Sequence, residues 1–269
     1  KMKKKLDLDH KEELKRAVSF LESESLTIKL LNYLGQPIEF GINKIPKKIK
    51  DKILPITGKA LHYAAKGSIK TIGKGKSNKF SNYYHKAFTI TTGGISGFFG
   101  PETLIFELPV STLTIFRSIA SIAKKNGEDL QDANTVAACI EVFALGGNNK
   151  SDDATDSSYY MVRAGTNKII EKLSENVLGK SLTIETPQFL SKIITIVAPR
   201  YSVQVTEKLV AQSLPIIGAM TGAAINLIFI THFQNVAEGH FIVRRLERIY
   251  GKKTINDNYL KIKNEIPLN

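Results

Sequence analysis

Apolar residues recur along this chain mostly at intervals of three and four, the spacing that puts them on one face of a helix. From Asp9 to Leu21, the positions Leu14, Val18 and Leu21 stand among charges and predict an amphipathic helix; Ser25 or Thr27 can start a short second one. After Pro37, the residues Ile38, Ile42, Ile45, Ile49 and Ile53 form a ridge opposite Lys44, Lys47, Lys48, Lys50 and Lys52. A ridge of this kind suits a helix lying in a membrane interface. It equally suits a core-facing helix with a solvated outer side, and that second reading is preferred unless the ridge is exposed. Pro55 predicts an interruption or kink, with helix continuing to about Ile72.

Residues 67–82, rich in Gly, Ser and Lys, read as a linker. The GKGKS within it lacks the spacing and the preceding apolar strand of a phosphate-binding loop. No charge falls between Lys86 and Glu102, and Gly93 and Gly97 have the GxxxG spacing that lets two backbones approach closely. Pro101 and Glu102 suit the first turn of the next helix. In that helix Glu107, Ser111, Thr114, Ser118 and Ser121 fall on one narrow polar stripe, and Pro109 predicts a bend. Asn126-Gly127 reads as its stop, and Asp132 or Asn134 as the cap of a helix carrying Cys139, Glu141 and Phe143. After the polar loop NNKSDDATDSS, a helix is expected from about Tyr159 to Leu178. Thr186-Pro187 opens another, bent at Pro199.

Leu209 to Ala237 is a run of 29 uncharged positions. A bilayer crossing needs roughly 20 apolar residues. Gln212, Asn226, His232, Gln234 and Asn235 dilute this run, so a buried helix pair or a hairpin entering one leaflet is expected in place of a full span. Helix then continues through HFIVRRLERIYG.

Charge sharpens the picture. The chain has 269 residues and a formal net charge of +13. Lys1 to Lys86 hold 20 Lys or Arg against 8 Asp or Glu, so nearly all of the excess lies at the front. Such a surface attracts anionic head groups or phosphates. The absence of tryptophan, and of arginine between Arg16 and Arg117, gives base stacking and bidentate base readout little support, so no nucleic-acid partner is expected. A single cysteine, Cys139, excludes an internal disulfide and a cysteine-based zinc site. The opening KMKKKLDLDHKEELKR turns acidic without an apolar stretch and is not read as a secretory signal.

The words GFFG, ELPVST, FRSIASIAKKNGEDL, CIEVFALGG and PIIGAMTGAAINLIFITHFQNVAEGHFIVRRLERIYG resemble the EcsC protein family, over about two-thirds of the chain. That family is named after a bacterial protein associated with an ABC transporter operon. The resemblance implies an α-helical domain associated with membranes; it implies no enzyme class.

Candidate chemistry centres on Glu107, Arg117, Glu141, His232 and His240, with Arg244 beside them. Carboxylates in apolar helices must be hydrated, paired or protonated. Two carboxylates and two imidazoles could bind a metal. However, the paired Glu-x-x-His of di-iron bundles and HExxH are both missing, so no metal or other cofactor is expected. A Glu–His pair lining a pocket could instead support hydrolysis or hold a polar ligand. The preferred reading is a buried network in which Arg117 answers Glu107 or Glu141, and Arg244 or Arg245 answers Glu141 or Glu238. Tyr159 and Tyr160 with Arg163 are expected to pack at a helix start. Cys139 reads as core, and no catalytic residue is assigned.

These observations predict an all-α, bundle-like domain of about ten helices with glycine-rich apolar helix pairs. A basic, partly separate front (1–82) precedes a helical core (83–251) and a polar tail (252–269). The expected role is non-catalytic: a cytoplasmic protein peripheral to the membrane, binding anionic phospholipid through Lys44, Lys47, Lys48, Lys50 and Lys52, and accessory to a transporter or another protein partner. The alternative is a hydrolase-like or ligand-binding protein built on the Glu/His/Arg set.

Overall fold

The structure, a computed structural model, describes residues 6–35, 45–72, 104–145, 158–176, 187–213 and 221–265. Among them are nine α-helices and no strand. In chain order these are α1 (Leu8–Leu21), α2 (Leu26–Leu34), α3 (Lys47–Ile72), α4 (Leu104–Lys125), α5 (Ala133–Glu141), α6 (Ser158–Asn176), α7 (Pro187–Ser213), α8 (Thr221–Tyr250) and α9 (Lys252–Glu265). A 3₁₀ turn, Val142–Ala144, extends α5.

Local chemistry sets several boundaries. The Asp7 carboxylate accepts from the His10 N–H at 2.8 Å and caps α1, and the Asp132 carboxylate accepts from the Asn134 N–H at 3.0 Å and caps α5. After α4 the chain reverses at Gly127, whose φ of 77° favours glycine over any residue with a Cβ.

The interruption that Pro55 could have made is absent. Pro55, Pro109 and Pro199 all lie inside continuous helices. Each removes one backbone donor, a loss that a long helix packed along its length tolerates. Consequently α3 runs unbroken for 26 residues, and residues 67–72 of the expected linker belong to it. The glycine pair Gly93 and Gly97, the Pro101-Glu102 start, Lys44, and Ile38 and Ile42 of the isoleucine ridge lie outside the described residues.

The core is built by α4, the end of α5, α7 and α8. Phe143 is its hub, with ring centroids 4.7 Å from Tyr201 and 5.2 Å from Phe233. The Tyr201 hydroxyl is satisfied by Thr112 at 3.0 Å. Helix α3 packs on α4 and α7 through Ile53, Thr57, Ala60, Leu61, Ala64 and Ala65, all buried. Ile45 and Ile53 point inward, and Ile49 and Ile56 are half-buried, so the isoleucine ridge faces the core.

The two ends of the chain close over α8. Helix α1 lies along it, and α9 packs on both. Residues 252–265, expected as part of a polar tail, instead form a helix that buries Ile255, Tyr259 and Ile262. The reason is the three- and four-residue spacing of those side chains within an otherwise polar segment. The Tyr259 hydroxyl donates to Glu22 at 2.6 Å, which ties α9 to the end of α1. The basic front is thus joined to the rest of the molecule by α1 on α8 and α3 on α4. Among the described residues, no helix is long and apolar enough to cross a membrane.

Candidate functional site

Two polar features stand out: a set of ionisable groups enclosed between helices, and a row of lysines on an open helix face.

The enclosed set gathers where α5, α6 and α8 meet. On α6, Tyr159, Val162, Arg163 and Thr166 follow the i, i+3, i+4, i+7 rule and are all buried. On α8, His240 and Glu247 are seven apart on one face. Arg163 donates two parallel hydrogen bonds to Glu247, each 2.8 Å, with the two residues 6% and 8% exposed. Burial works against the Arg163 charge, and its neighbours Tyr159 and Glu247 outweigh that. His240 Nδ1 lies 3.2 Å from the Tyr159 hydroxyl, and His240 Nε2 lies 3.6 Å from Glu141 Oε2.

That last distance is a contact too long for a hydrogen bond. Both His240 Nε2 and Glu141 Oε1 are buried without a hydrogen-bond partner. Burial pushes the Glu141 carboxyl above the usual carboxylate range, against Arg163, Thr166 and Arg244. Burial, reinforced by Arg163 and Arg244, holds the His240 imidazole well below its ordinary value. The two shifts favour the neutral form of each, so this contact is not an ion pair in the ordinary sense.

The remaining groups singled out in the sequence are distributed over other pairs. Glu107 accepts from Lys208 Nζ at 2.6 Å, and that ammonium sits 5.0 Å from the centroid of the Phe229 ring. Arg244 reaches Glu128 through two bonds of 2.9 and 3.1 Å, and Arg248 pairs with the same carboxylate. Burial alone would raise Glu128, but Arg244 and Arg248 hold it below the usual range. Arg245 donates to Glu13 at 2.8 Å, and Arg16 lies 3.7 Å from Glu238. His232 Nδ1 is 3.5 Å from Lys29 Nζ. Arg117 is half-buried on α4.

The structure therefore brings Glu141 and His240 together with Arg244 close by, and places Glu107 and His232 in other surroundings. The partners differ from those expected: Lys208 answers Glu107, and Glu128 answers Arg244. Glu247, Lys208 and Glu128 are the groups that sequence reasoning missed, as was the pairing of Arg163 with Glu247. A signal existed for that pairing, since Arg163 is one helical turn from Tyr159 and Glu247 two turns from His240. Among the described residues, no group of three or more His, Cys, Asp or Glu side chains is placed to hold a metal ion. Cys139 is buried and free, and burial pushes its thiol far up, away from the reactive thiolate. The arrangement as a whole locks helix to helix; Glu141 and His240 are enclosed, 4% and 0% exposed.

The open feature is the outer face of α3. Lys48, Lys52, Lys59 and Lys66 are all exposed, at intervals of four, seven and seven. At 1.5 Å per residue they span about 27 Å along one face of the helix. Tyr63, 68% exposed, stands in the same row. Lys47 and Lys50 are also exposed, in the first turn of α3, on other faces of the helix. Two of the lysines expected at a membrane surface, Lys48 and Lys52, are therefore members of a longer row that continues past Pro55.

The family model described as the EcsC protein family matches residues 22–246. No curated protein and no solved structure matches the chain.

Proposed function

We propose, from the premise that the chain belongs to the EcsC protein family, that it works without catalysis, seated on anionic lipid through the outer face of α3. The observation that carries this reading is the lysine row itself. Its four ammonium groups share one face of a rigid helix whose opposite face is buried against α4 and α7. A flat row of this kind presents its charges together to a surface. Each lysine near an anionic leaflet contributes about 1 kcal/mol at physiological salt.

Tyr63 adds an amphipathic ring of the sort that sits at head-group level. The isoleucine ridge faces the core, so the contact is electrostatic with an aromatic anchor, without insertion of an apolar helix face. The enclosure of Glu141 and His240 favours the same non-catalytic reading. The protein then acts at the cytoplasmic leaflet, as an accessory to a transporter or another membrane-bound partner.

Co-sedimentation with vesicles tests this. The protein should pellet with vesicles rich in phosphatidylserine at low salt, remain in solution with neutral phosphatidylcholine vesicles, and be released from the anionic ones by raised salt. Reversing Lys48, Lys52, Lys59 and Lys66 to Glu should abolish capture. Equal sedimentation with both kinds of vesicle, or capture that survives the four reversals, would overturn the reading.

A further inference from the structure

The spacing of charges on the outer face of α3 bears on which kind of anionic lipid that face takes, given the reading that it seats on lipid at all. Lys48, Lys52, Lys59 and Lys66 stand about 6, 10.5 and 10.5 Å apart along the helix axis. The two longer gaps exceed the screening length of about 8 Å at physiological salt, so those ammonium groups act on a surface largely one by one. Capture of a single polyphosphorylated head group needs the reverse arrangement, with several cations converging on one point. Helix α3 cannot supply it by bending or turning, because Ile53, Thr57, Ala60, Leu61, Ala64 and Ala65 hold its other face against α4 and α7.

Lys48 and Lys52, one turn apart, are the members of the row close enough to share a phosphate. Asp51 is exposed beside both of them, three residues from Lys48 and next to Lys52, and its carboxylate repels a polyanion lodged there. The helix also carries no arginine, since none occurs between Arg16 and Arg117, so it lacks the planar fork that grips a phosphate with two bonds. What the face offers is separated point charges and the Tyr63 ring on a convex surface.

We propose that the outer face of α3 responds to the charge density of a leaflet and selects no head group by shape: it takes a fluid surface of monovalent anionic lipids, with the helix axis lying parallel to that surface. Each lysine pairs with a different lipid. Phosphatidylserine and phosphatidylglycerol satisfy the row equally, because each brings a single net negative charge, and lateral diffusion lets the lipids match the spacing of the lysines.

Partition of the full chain onto vesicles of three compositions tests this. Phosphatidylserine, phosphatidylglycerol and a phosphatidylinositol bisphosphate are each diluted in phosphatidylcholine to the same measured zeta potential. The three partition coefficients should agree within about twofold. A tenfold or greater preference for any of them would overturn the proposal, because a head group would then be recognised. Lys48→Gln, Lys52→Gln, Lys59→Gln and Lys66→Gln should each weaken partition onto phosphatidylserine vesicles by about fivefold, the effect of one lysine at an anionic leaflet. Lys48→Gln with Lys66→Gln should weaken it by about 25-fold, since the two lie at opposite ends of the row and act independently. All four positions are exposed, so folding is not at stake. Loss concentrated at Lys48 and Lys52, with Lys59 and Lys66 silent, would mean end-on contact and would also overturn the proposal. Partition with a head-group preference removes this proposal and leaves the membrane reading beneath it standing; no partition onto any of the three compositions removes both.

Discussion

Gly239 of α8 lies directly against Ala17 of α1: a Cβ built on Gly239 would stand 2.8 Å from the Ala17 carbonyl oxygen, 2.9 Å from Leu21 Cγ and 3.2 Å from Phe20 Cβ. The first of these neighbours is backbone and cannot swing aside. Absence of a side chain at position 239 therefore sets how closely α1 and α8 approach. Gly239→Ala should force the helices apart at a cost of about 1–3 kcal/mol, despite the gain in helix propensity that alanine normally brings. A denaturation midpoint equal to or above that of the wild type would show that α1 yields without loss.

Arg163 and Glu247 make the most enclosed charge pair among the described residues. Removing one partner strands the other, which is the costly case for buried ions. Arg163→Met should destabilise the fold by about 3–5 kcal/mol, whereas Arg163→Met with Glu247→Leu should recover most of that, because neither charge is then left alone. A double-mutant cycle in urea measures this. If the double variant were no more stable than the single one, the pair would not be acting as a unit.

How much of this was visible beforehand depends on range along the chain. The helices were legible because their period is local, as were the cap at Asp132 and the reversal at Gly127, which need only neighbouring residues. The pairing of buried charges was not. Arg117 was the nearest cation to Glu107 in sequence, yet the group that meets it is Lys208, 101 positions away. Which charges meet is decided by how helices cross, and no short pattern encodes that. Pro55 misled in another way. With an interruption or kink expected there, the lysine face was read only as far as Lys52, whereas one helix runs through Pro55 and brings Lys59 and Lys66 onto the same face.

Glu141 and His240 should tilt stability in opposite directions with pH. The folded state holds His240 well below its ordinary value, so on acidification the unfolded chain binds a proton that the folded one refuses. Stability from this group is present above about pH 6.5 and is lost as pH falls below it. Glu141, raised in the fold, does the reverse: its contribution is present at low pH and is lost as pH rises through the folded value. Tyr159, Arg163, Thr166, Arg244 and Glu247 surround the pair and stay in place in the variants. His240→Gln should flatten the acid limb of the stability profile, and Glu141→Gln should gain on the wild type toward alkaline pH. Each limb has a slope of at most about 1.4 kcal/mol per pH unit. Urea midpoints measured from pH 5 to 8 decide it, and profiles parallel to that of the wild type would remove both assignments.

Cys139 offers a report on the core. It is buried, free, and its thiol is held far above the range where thiolate forms. A thiol reagent such as Ellman's should therefore label it only as fast as the protein opens, and labelling should accelerate in step with added urea. Rapid stoichiometric labelling of the native protein would place Cys139 in a different environment.

The final prediction uses the absence of tryptophan from the chain. Tyr63 is 68% exposed in the lysine row of α3, and Met161 is 48% exposed on α6. Tyr63→Trp and Met161→Trp each create a single fluorophore at an exposed site, so neither should disturb packing. If α3 seats on anionic lipid, the tryptophan at position 63 moves from water to the head-group layer, and its emission should shift to the blue on adding phosphatidylserine vesicles. The tryptophan at position 161 should stay unshifted. Adding salt should return the first spectrum to its starting position, because the lysines, and not the ring, supply the attraction. A shift at both positions would mean that the protein unfolds onto the vesicle, and a shift at 161 alone would put the contact surface on α6. Either result would detach membrane binding from the lysine row, whereas the expected pattern ties the two together at a single helix face.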